Sequence, residues 1–314
     1  MSENTNHVMS AKDMSGVKRG QRVSVIISKI LVYLFLIIIA IAVIFPFYWM
    51  LISSLKTRSE YELSTPTFFP RTIETYSIVK ENGSSIKTLI PVNYVEAFRA
   101  GNLGRLFVNT MIVGVSSTLL SLVITVITAF ALARLEFRGK NILFAGMLAT
   151  MMIPGELFTI TNYITVNELD WMHTYRVLII PFLVSVFYIY LLRQNFLQIP
   201  DELYLAAKVD GTSDIKYLWK VMVPLSLPTL ISITILKMMG AWNSYIWPRL
   251  VANDEAHKLI TNGLRSMNLV YDDGTTNFPV QMAAVALVSI PLFLVFVFLR
   301  KYIMKGVSRS GIKG

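Results

Sequence analysis

Between Lys29 and Lys56 the chain carries no charged residue, and between Leu106 and Ala133 it again carries none. Each run exceeds the ~20 residues that a helix needs to cross the hydrocarbon of a bilayer. In that medium an isolated segment satisfies its own backbone only as a helix. Four further apolar stretches follow, so the expected spans are 28–52, 106–133, 142–165, 175–192, 221–247 and 278–300. With 54% hydrophobic and 15% charged residues the chain is too apolar for a soluble globule. The expected class is an all-α integral membrane protein with six transmembrane helices in residues 25–304.

Between the spans the chain is polar. Residues 1–24 show no apolar periodicity and read as a short disordered tail. Pro46 with Phe45, Phe47, Tyr48 and Trp49 sits near the far end of the first span, as interface anchors do. Residues 57–105 read as an excursion outside the membrane, with a short helix at Tyr94–Ala100. Residues 305–314 form a basic, glycine-rich tail. The short turns on one side hold Arg134, Arg138 and Lys140, then Arg193, Lys208, Lys216 and Lys220, whereas Arg176 is alone in the turn at 166–176. The positive-inside rule then puts both termini in the cytoplasm. The net charge of +10 is mostly this topology signal, and no basic helix or aromatic-basic face is left to bind nucleic acid.

Several kinds of chemistry are excluded. The chain has no Cys, so disulfides, thiolate metal sites and Cys nucleophiles are absent. It lacks G-x-x-x-x-G-K-[ST] and cannot cradle ATP phosphates by that motif. His7, His173 and His257 lie in polar segments, away from carboxylates at metal-ligand spacing. Inside the spans, Glu156 follows the Pro154-Gly155 break and Lys237 interrupts the fifth span. Ionisable groups there face a cavity or a partner. A Lys237–Glu156 pair is one expectation, and snorkelling of Lys237 to the interface is the other.

The most informative stretch is the polar interruption at 199–214. Pro200 stops the preceding helix, Asp201 suits an N-cap with Glu202 beside it, and Leu203–Val209 can form a short helix closed by Asp210-Gly211. Ser213 can cap a second helix that runs straight into the fifth span. Ala206 and Ala207 make a small-residue patch for close approach by another protein. On spacing alone, an ordinary polar loop with an Asp-Gly turn fits equally well.

The pattern Ile199-Pro200-x-Glu202-Leu203-x-x-Ala206-Ala207-x-x-Asp210-Gly211, then Pro224-Leu225-x-x-Pro228, resembles the "EAA" loop of bacterial ATP-binding-cassette import permeases. More narrowly it is similar to the carbohydrate-uptake, maltose-permease type. Ala129 to Gly139, Met152-Ile153-Pro154 with Tyr163, Ile189 to Phe196, and Lys301 to Gly314 are also similar to segments of that family. The resemblance implies the core of a type I importer permease in a bacterial cytoplasmic (inner) membrane. It implies a second homologous permease, two ATPase subunits that carry ATP and Mg, an extracytoplasmic solute-binding protein and a saccharide substrate, an oligosaccharide being the expectation. This chain would bind no cofactor, carry no catalytic residue and be no enzyme.

By the same resemblance the loop at 199–214 is the coupling helix that sits in a groove of the ATPase. Glu202, Leu203, Leu205, Ala206, Ala207, Asp210 and Gly211 become contact candidates, with Gly306, Gly311 and Gly314 of the tail; a solvated basic end is the alternative for the tail. One departure is Leu205, where the family has Glu, so the ATPase would be held by packing or through Glu202. Sugars present C–H faces to rings and hydroxyls to amides, which makes Trp242, Asn243 and Tyr245, with Asn162 and Tyr163, candidates for the substrate path. Trp247 reads rather as an interfacial belt residue. The alternatives are an ion-coupled carrier, an intramembrane enzyme, and a permease of the same superfamily for polyamines or phosphate.

Overall fold

The computed structural model describes residues 11–79, 85–267, 269–271 and 273–308. The first helix, α1 (Ala11–Ser53), begins well before residue 25. The expected tail is therefore helical from Ala11 onward, since no Pro stands between Ala11 and the span to interrupt it. Its apolar part, Ile26–Ser53, has no buried surface in its most apolar stretch. A helix apolar all round and unpacked has lipid as its solvent.

After α1 come α2 (Arg58–Tyr61), the antiparallel strands β1 (Thr75–Val79) and β2 (Ser85–Pro91), and α3 (Val92–Ala100). The excursion thus contains the expected short helix, starting two residues early, and an unexpected hairpin. Lys56 and Glu60 fold inward in this segment. Glu60 is buried, accepting from the Thr67 hydroxyl at 2.7 Å and from the Arg71 N–H at 2.9 Å. Burial alone would raise its pKa, but these bonds to the ionised form outweigh it and hold the carboxyl below its usual value. A lowered folded pKa contributes stability that is present above the unfolded pKa of about 4.3 and lost as pH falls through the folded value. Detergent-solubilised protein should therefore lose melting temperature below about pH 4. Glu60→Gln should melt lower at pH 7 and lose part of that acid dependence.

The central helix is α4 (Leu103–Arg134), which is predominantly apolar and buried on one side. Three long helices, α1, α4 and α15 (Phe278–Ser308), suffice to cross a membrane unaided. The other apolar stretches are broken. α5 (Lys140–Thr150) meets a 3₁₀ turn at Gly155–Phe158 and α6 (Thr159–Glu168) at 85°. α7 (Tyr175–Ile179), with a 3₁₀ turn through Phe182, meets α8 (Val186–Phe196) at 45°. α9 (Asp201–Val209) leads to α10 (Asp214–Tyr217), a π-helical turn at Leu218–Met222 and α11 (Val223–Leu225), and α12 (Leu227–Trp242) then departs at 80°. Among the described residues the chain thus has three spans, or up to six if each bent pair is one.

The 80° bend falls within the span expected at 221–247. Pro228 lacks an N–H and sits in the first turn of α12, while the Ser226 N–H reaches back to Met222 O at 3.0 Å and Val223 O at 3.2 Å. One helix is thereby closed and another opened. Beyond α12, α13 (Ile246–Val251) and α14 (Ile260–Ser266) lie at the end of α4 opposite α9. Asn109 of α4 donates to Ala256 O and Lys258 O at 2.9 and 3.0 Å, and Leu106 packs where a Cβ on Gly263 would sit.

Buried side chains form three clusters. One surrounds Phe130, Leu192, Phe196, Tyr217 and Met222 at the α9 end. A second joins Leu106, Trp242, Ile260 and Ala283 at the opposite end, and a third joins Val113, Val177, Trp247 and Leu259.

Candidate functional site

The segment at 199–214 folds as a knob. α9 ends in a Schellman closure: the Thr212 N–H reaches Ala207 O at 2.8 Å and the Gly211 N–H reaches Lys208 O at 3.0 Å. Gly211 stands at φ +68°, where other residues are strained. The Ser213 hydroxyl accepts from the Lys216 N–H and caps α10. Tyr204 and Lys208 both reach Asp214, at 2.7 Å each, and tie the two short helices together. The hydrogen bond to Asp214 raises the Lys208 pKa.

Two sequence expectations change. Asp201 does not cap α9, because Pro200 holds the cap position and makes no side-chain bond. Instead the Asp201 carboxylate receives the guanidinium of Arg134, the last residue of α4. The same buried guanidinium donates to Phe196 O at 2.9 Å and to Ile199 O. Arg134 thus gathers the end of α4, the end of α8 and the start of α9 at one point. Nothing local marks it, since its partners lie more than 60 residues on. Of the two alanines only Ala206 faces outward; Ala207 packs with Tyr204 against the Phe130–Met222 cluster.

The outward surface of α9 is apolar at its centre and acidic at its ends. Leu203, Leu205 and Val209 are 44%, 62% and 89% exposed, and Glu202 and Asp210 are exposed beside them. Leu205 and Val209 are four apart and share one face. Gly306 lies in the last turns of α15. Gly311 and Gly314 lie outside the described residues.

The candidates for a substrate path separate. Lys237 lines a cavity of about 390 Å³ enclosed by α4, α8, α12, α13 and the bend at Phe182. Its ammonium donates to Phe182 O, a carbonyl that the broken helix leaves free, and it makes no ion pair with Glu156. Glu156 is exposed at the 85° break, with the half-buried Asn162 and the exposed Tyr163 beyond it on α6. Trp242 is buried edge-on against Phe107, and Asn243 is exposed and closes its own helix by donating to Met239 O at 3.0 Å. Trp247 is no belt residue, because its indole is buried and donates to Val177 O at 2.9 Å. Tyr245 opens a second pocket of about 320 Å³, whose wall also holds Arg249 and Arg265. The arginines, and Ser117, Tyr188 and Ser244 of the first cavity, went unremarked in the sequence; nothing local distinguishes them there.

Two of the histidines meet one carboxylate. His173 and His257 place Nδ1 at 3.2 and 2.8 Å from the two oxygens of Asp254, joining the segment after α6 to that after α13. Burial alone would raise the Asp254 carboxyl, but its bonds to the two imidazoles lower it. Among the described residues no His, Cys, Asp and Glu group could hold a metal ion.

A family model described as the binding-protein-dependent transport system inner membrane component matches residues 121–309. The arabinooligosaccharides transport system permease protein AraQ of Bacillus subtilis (strain 168) is 26% identical over 287 residues, covering 91% of this chain and 96% of its own. The sn-glycerol-3-phosphate transport system permease protein UgpE of Rhizobium meliloti (strain 1021) is 29% identical over 282 residues, covering 89% and 96%. A chain from the crystal structure of a bacterial ABC transporter involved in import of the acidic polysaccharide alginate superposes with a TM-score of 0.76. That chain is 22% identical, and the match covers 90% of this chain and 98% of that one.

Proposed function

This chain belongs to the family of inner membrane components of binding-protein-dependent transport systems, and from that premise we propose that it forms half of the path of an ATP-driven saccharide importer. It is a multi-pass membrane transport subunit and not an enzyme. The other half of the path would come from a second, homologous permease, and ATP and Mg would sit on two separate ATPase subunits. An extracytoplasmic binding protein would deliver the sugar. The spans are six, each bent pair crossing once, with both termini and α9 on the cytoplasmic side of a bacterial inner membrane. Coupling runs through the exposed residues of α9, with Gly306, Gly311 and Gly314 as a second contact.

The observation that carries this reading is α9 itself. A nine-residue helix bears large apolar side chains in the open, yet it is fastened to the membrane helices by a buried arginine. A polar surface loop has no reason to expose Leu205 and Val209 while being so firmly anchored, whereas a lever gripped by another protein has both. Movement of α9 is transmitted through Arg134 to α4 and α8, which wall the cavity around Lys237. ATP hydrolysis on the ATPases would in this way open the cavity to alternate sides.

Two named relatives transport arabinooligosaccharides and sn-glycerol 3-phosphate, which supports a sugar or sugar-derived solute for this chain. The complete importer in proteoliposomes should take up a labelled saccharide only with ATP and its binding protein present, at an unchanged rate when proton and sodium gradients are collapsed. Uptake driven by an ion gradient without ATP would contradict this reading and favour a secondary carrier.

A further inference from the structure

Three cations, Lys237, Arg249 and Arg265, line pockets and have no acidic partner among the described residues. Lys237 contacts only a carbonyl, that of Phe182. Arg249 donates to the Tyr245 hydroxyl, and its guanidinium lies 5.6 Å from that ring's centre. Arg265 lies 5.2 Å from the same ring. Arg58 by contrast has Glu62 and Asp273, and Lys258 has Glu255, while Lys56 and Arg99 rest on a carbonyl and a ring outside these pockets. Among the described residues no Asp or Glu lines either the Lys237 cavity or the Tyr245 pocket.

Holding an ammonium inside a membrane segment is costly unless it faces a polar cavity, and a neutral carbonyl does not cancel its charge. Two guanidinium groups on one ring also repel each other unless an anion comes between them. Guanidinium pairs of this kind suit the planar or tetrahedral oxygens of a carboxylate or phosphate. The two spaces adjoin in sequence, Ser244 lining one and Tyr245 the other. Each has a volume in the range of about 300–1,000 Å³ that holds small molecules. Around Lys237 the lining adds the Ser117, Ser244 and Tyr188 side chains, and around the arginines it adds the amides of Asn253 and Asn262. Hydroxyls and amides match a polyol, and the cations match an acid group.

We propose that the solute carried by this permease is an acidic saccharide, bearing a uronate carboxylate or a phosphate ester, received first by Arg249 and Arg265 and then by Lys237. The proposal rests on the saccharide-import reading. The anion explains all three cations at once. Arg249 and Arg265 are exposed and Lys237 is half-buried, so the anion would pass from the guanidinium pair to the single ammonium, where binding by one cation is weak enough to release it.

The test uses the complete importer with its binding protein in proteoliposomes and three labelled probes: tri-galacturonate, glycerol 3-phosphate and arabinotriose. The expected result is ATP-driven uptake of one of the two anions, its identity distinguishing carboxylate from phosphate. Lys237→Met and the double variant Arg249→Gln/Arg265→Gln should each lower that uptake at least tenfold, with Lys237→Arg retaining most of it. Uptake of arabinotriose alone, unchanged in Lys237→Met, would overturn the acidic substrate and leave sugar import standing. ATP-driven uptake of none of the three would count against sugar import and the proposal together. Loss of the second permease from the purified Lys237→Met complex would overturn the proposal differently, by assigning Lys237 to a carboxylate of that subunit.

Discussion

Arg134→Met is expected to abolish ATP-driven uptake while leaving the chain inserted in the membrane. The guanidinium is nearly inaccessible, and it satisfies Phe196 O at the end of α8 and Ile199 O in the turn before α9. Phe196 O is in the last turn of α8, where the helix dipole presents partial negative charge, and it also accepts from the Ile199 N–H at 3.2 Å. Methionine fills the volume but donates nothing, so Ile199 O loses its donor, Phe196 O keeps only the Ile199 N–H at 3.2 Å, and Asp201 loses its counter-ion. Leaving a buried acceptor without its donor costs about 1–3 kcal/mol. That is enough to release α9 from α4 and α8, since every 1.4 kcal/mol is about tenfold in an equilibrium. Asp201→Asn should be far milder, about 1 kcal/mol or less, because that carboxylate is 79% exposed and water replaces much of what it gives. The check is ATP-driven uptake beside melting temperature for both variants. Equal damage from the two would mean that the ion pair, and not the carbonyl network, holds the lever.

The second large effect is expected from Leu205→Asp/Val209→Asp. Both side chains stand in solvent when the chain is alone, so two carboxylates cost the isolated subunit almost nothing. In a groove of the ATPase they would be desolvated without partners. Hot-spot side chains in such interfaces contribute about 2 kcal/mol or more each, so the pair should weaken ATPase association on the order of a hundredfold. Leu205 is the informative member: the resembling family places Glu there, so in the proposed coupling packing, or Glu202, would take over from that charge in this chain. Leu205→Glu should therefore keep the ATPase bound more weakly than Leu205→Met. Pull-down of the ATPase by tagged permease, with total membrane insertion as the reference, reads both comparisons.

The sequence already contained what local chemistry decides. Pro200, Asp210-Gly211 and Ser213 each enforce a backbone geometry within a few residues, and the structure has the stop, the left-handed closure and the cap at those positions. Uncharged runs likewise announced α1, α4 and α15. What stayed hidden depends on partners distant in the chain. The break of the third span at Pro154-Gly155 was legible, but its angle of 85° and the bends of 45° and 80° were not, because hydropathy is the same on both sides of each break. Arg134 read as a topology signal, since Asp201 and the two carbonyls that hold it lie more than 60 residues ahead. Trp242 and Trp247 looked alike as aromatic residues near a span end, and both turn out buried, because α13 folds back on α7 and α14 on α4. Asp254 collects two histidines 81 and 3 residues away, and no spacing rule reaches across the first of those gaps. Lys237 was recognisable as costly, but its approach to Phe182 O depends on a helix break that the sequence only hints at.

The account stands or falls on which side of the membrane α9 lies and what grips it. Because the chain contains no cysteine, Val209→Cys introduces a single thiol at the most exposed apolar position of α9. In intact cells that thiol should resist a membrane-impermeant maleimide, and in inside-out vesicles it should cross-link to the ATPase with a yield that changes on adding ATP. Rapid labelling from outside intact cells, or vesicles in which the assembled ATPase hydrolyses ATP yet never cross-links, would contradict it.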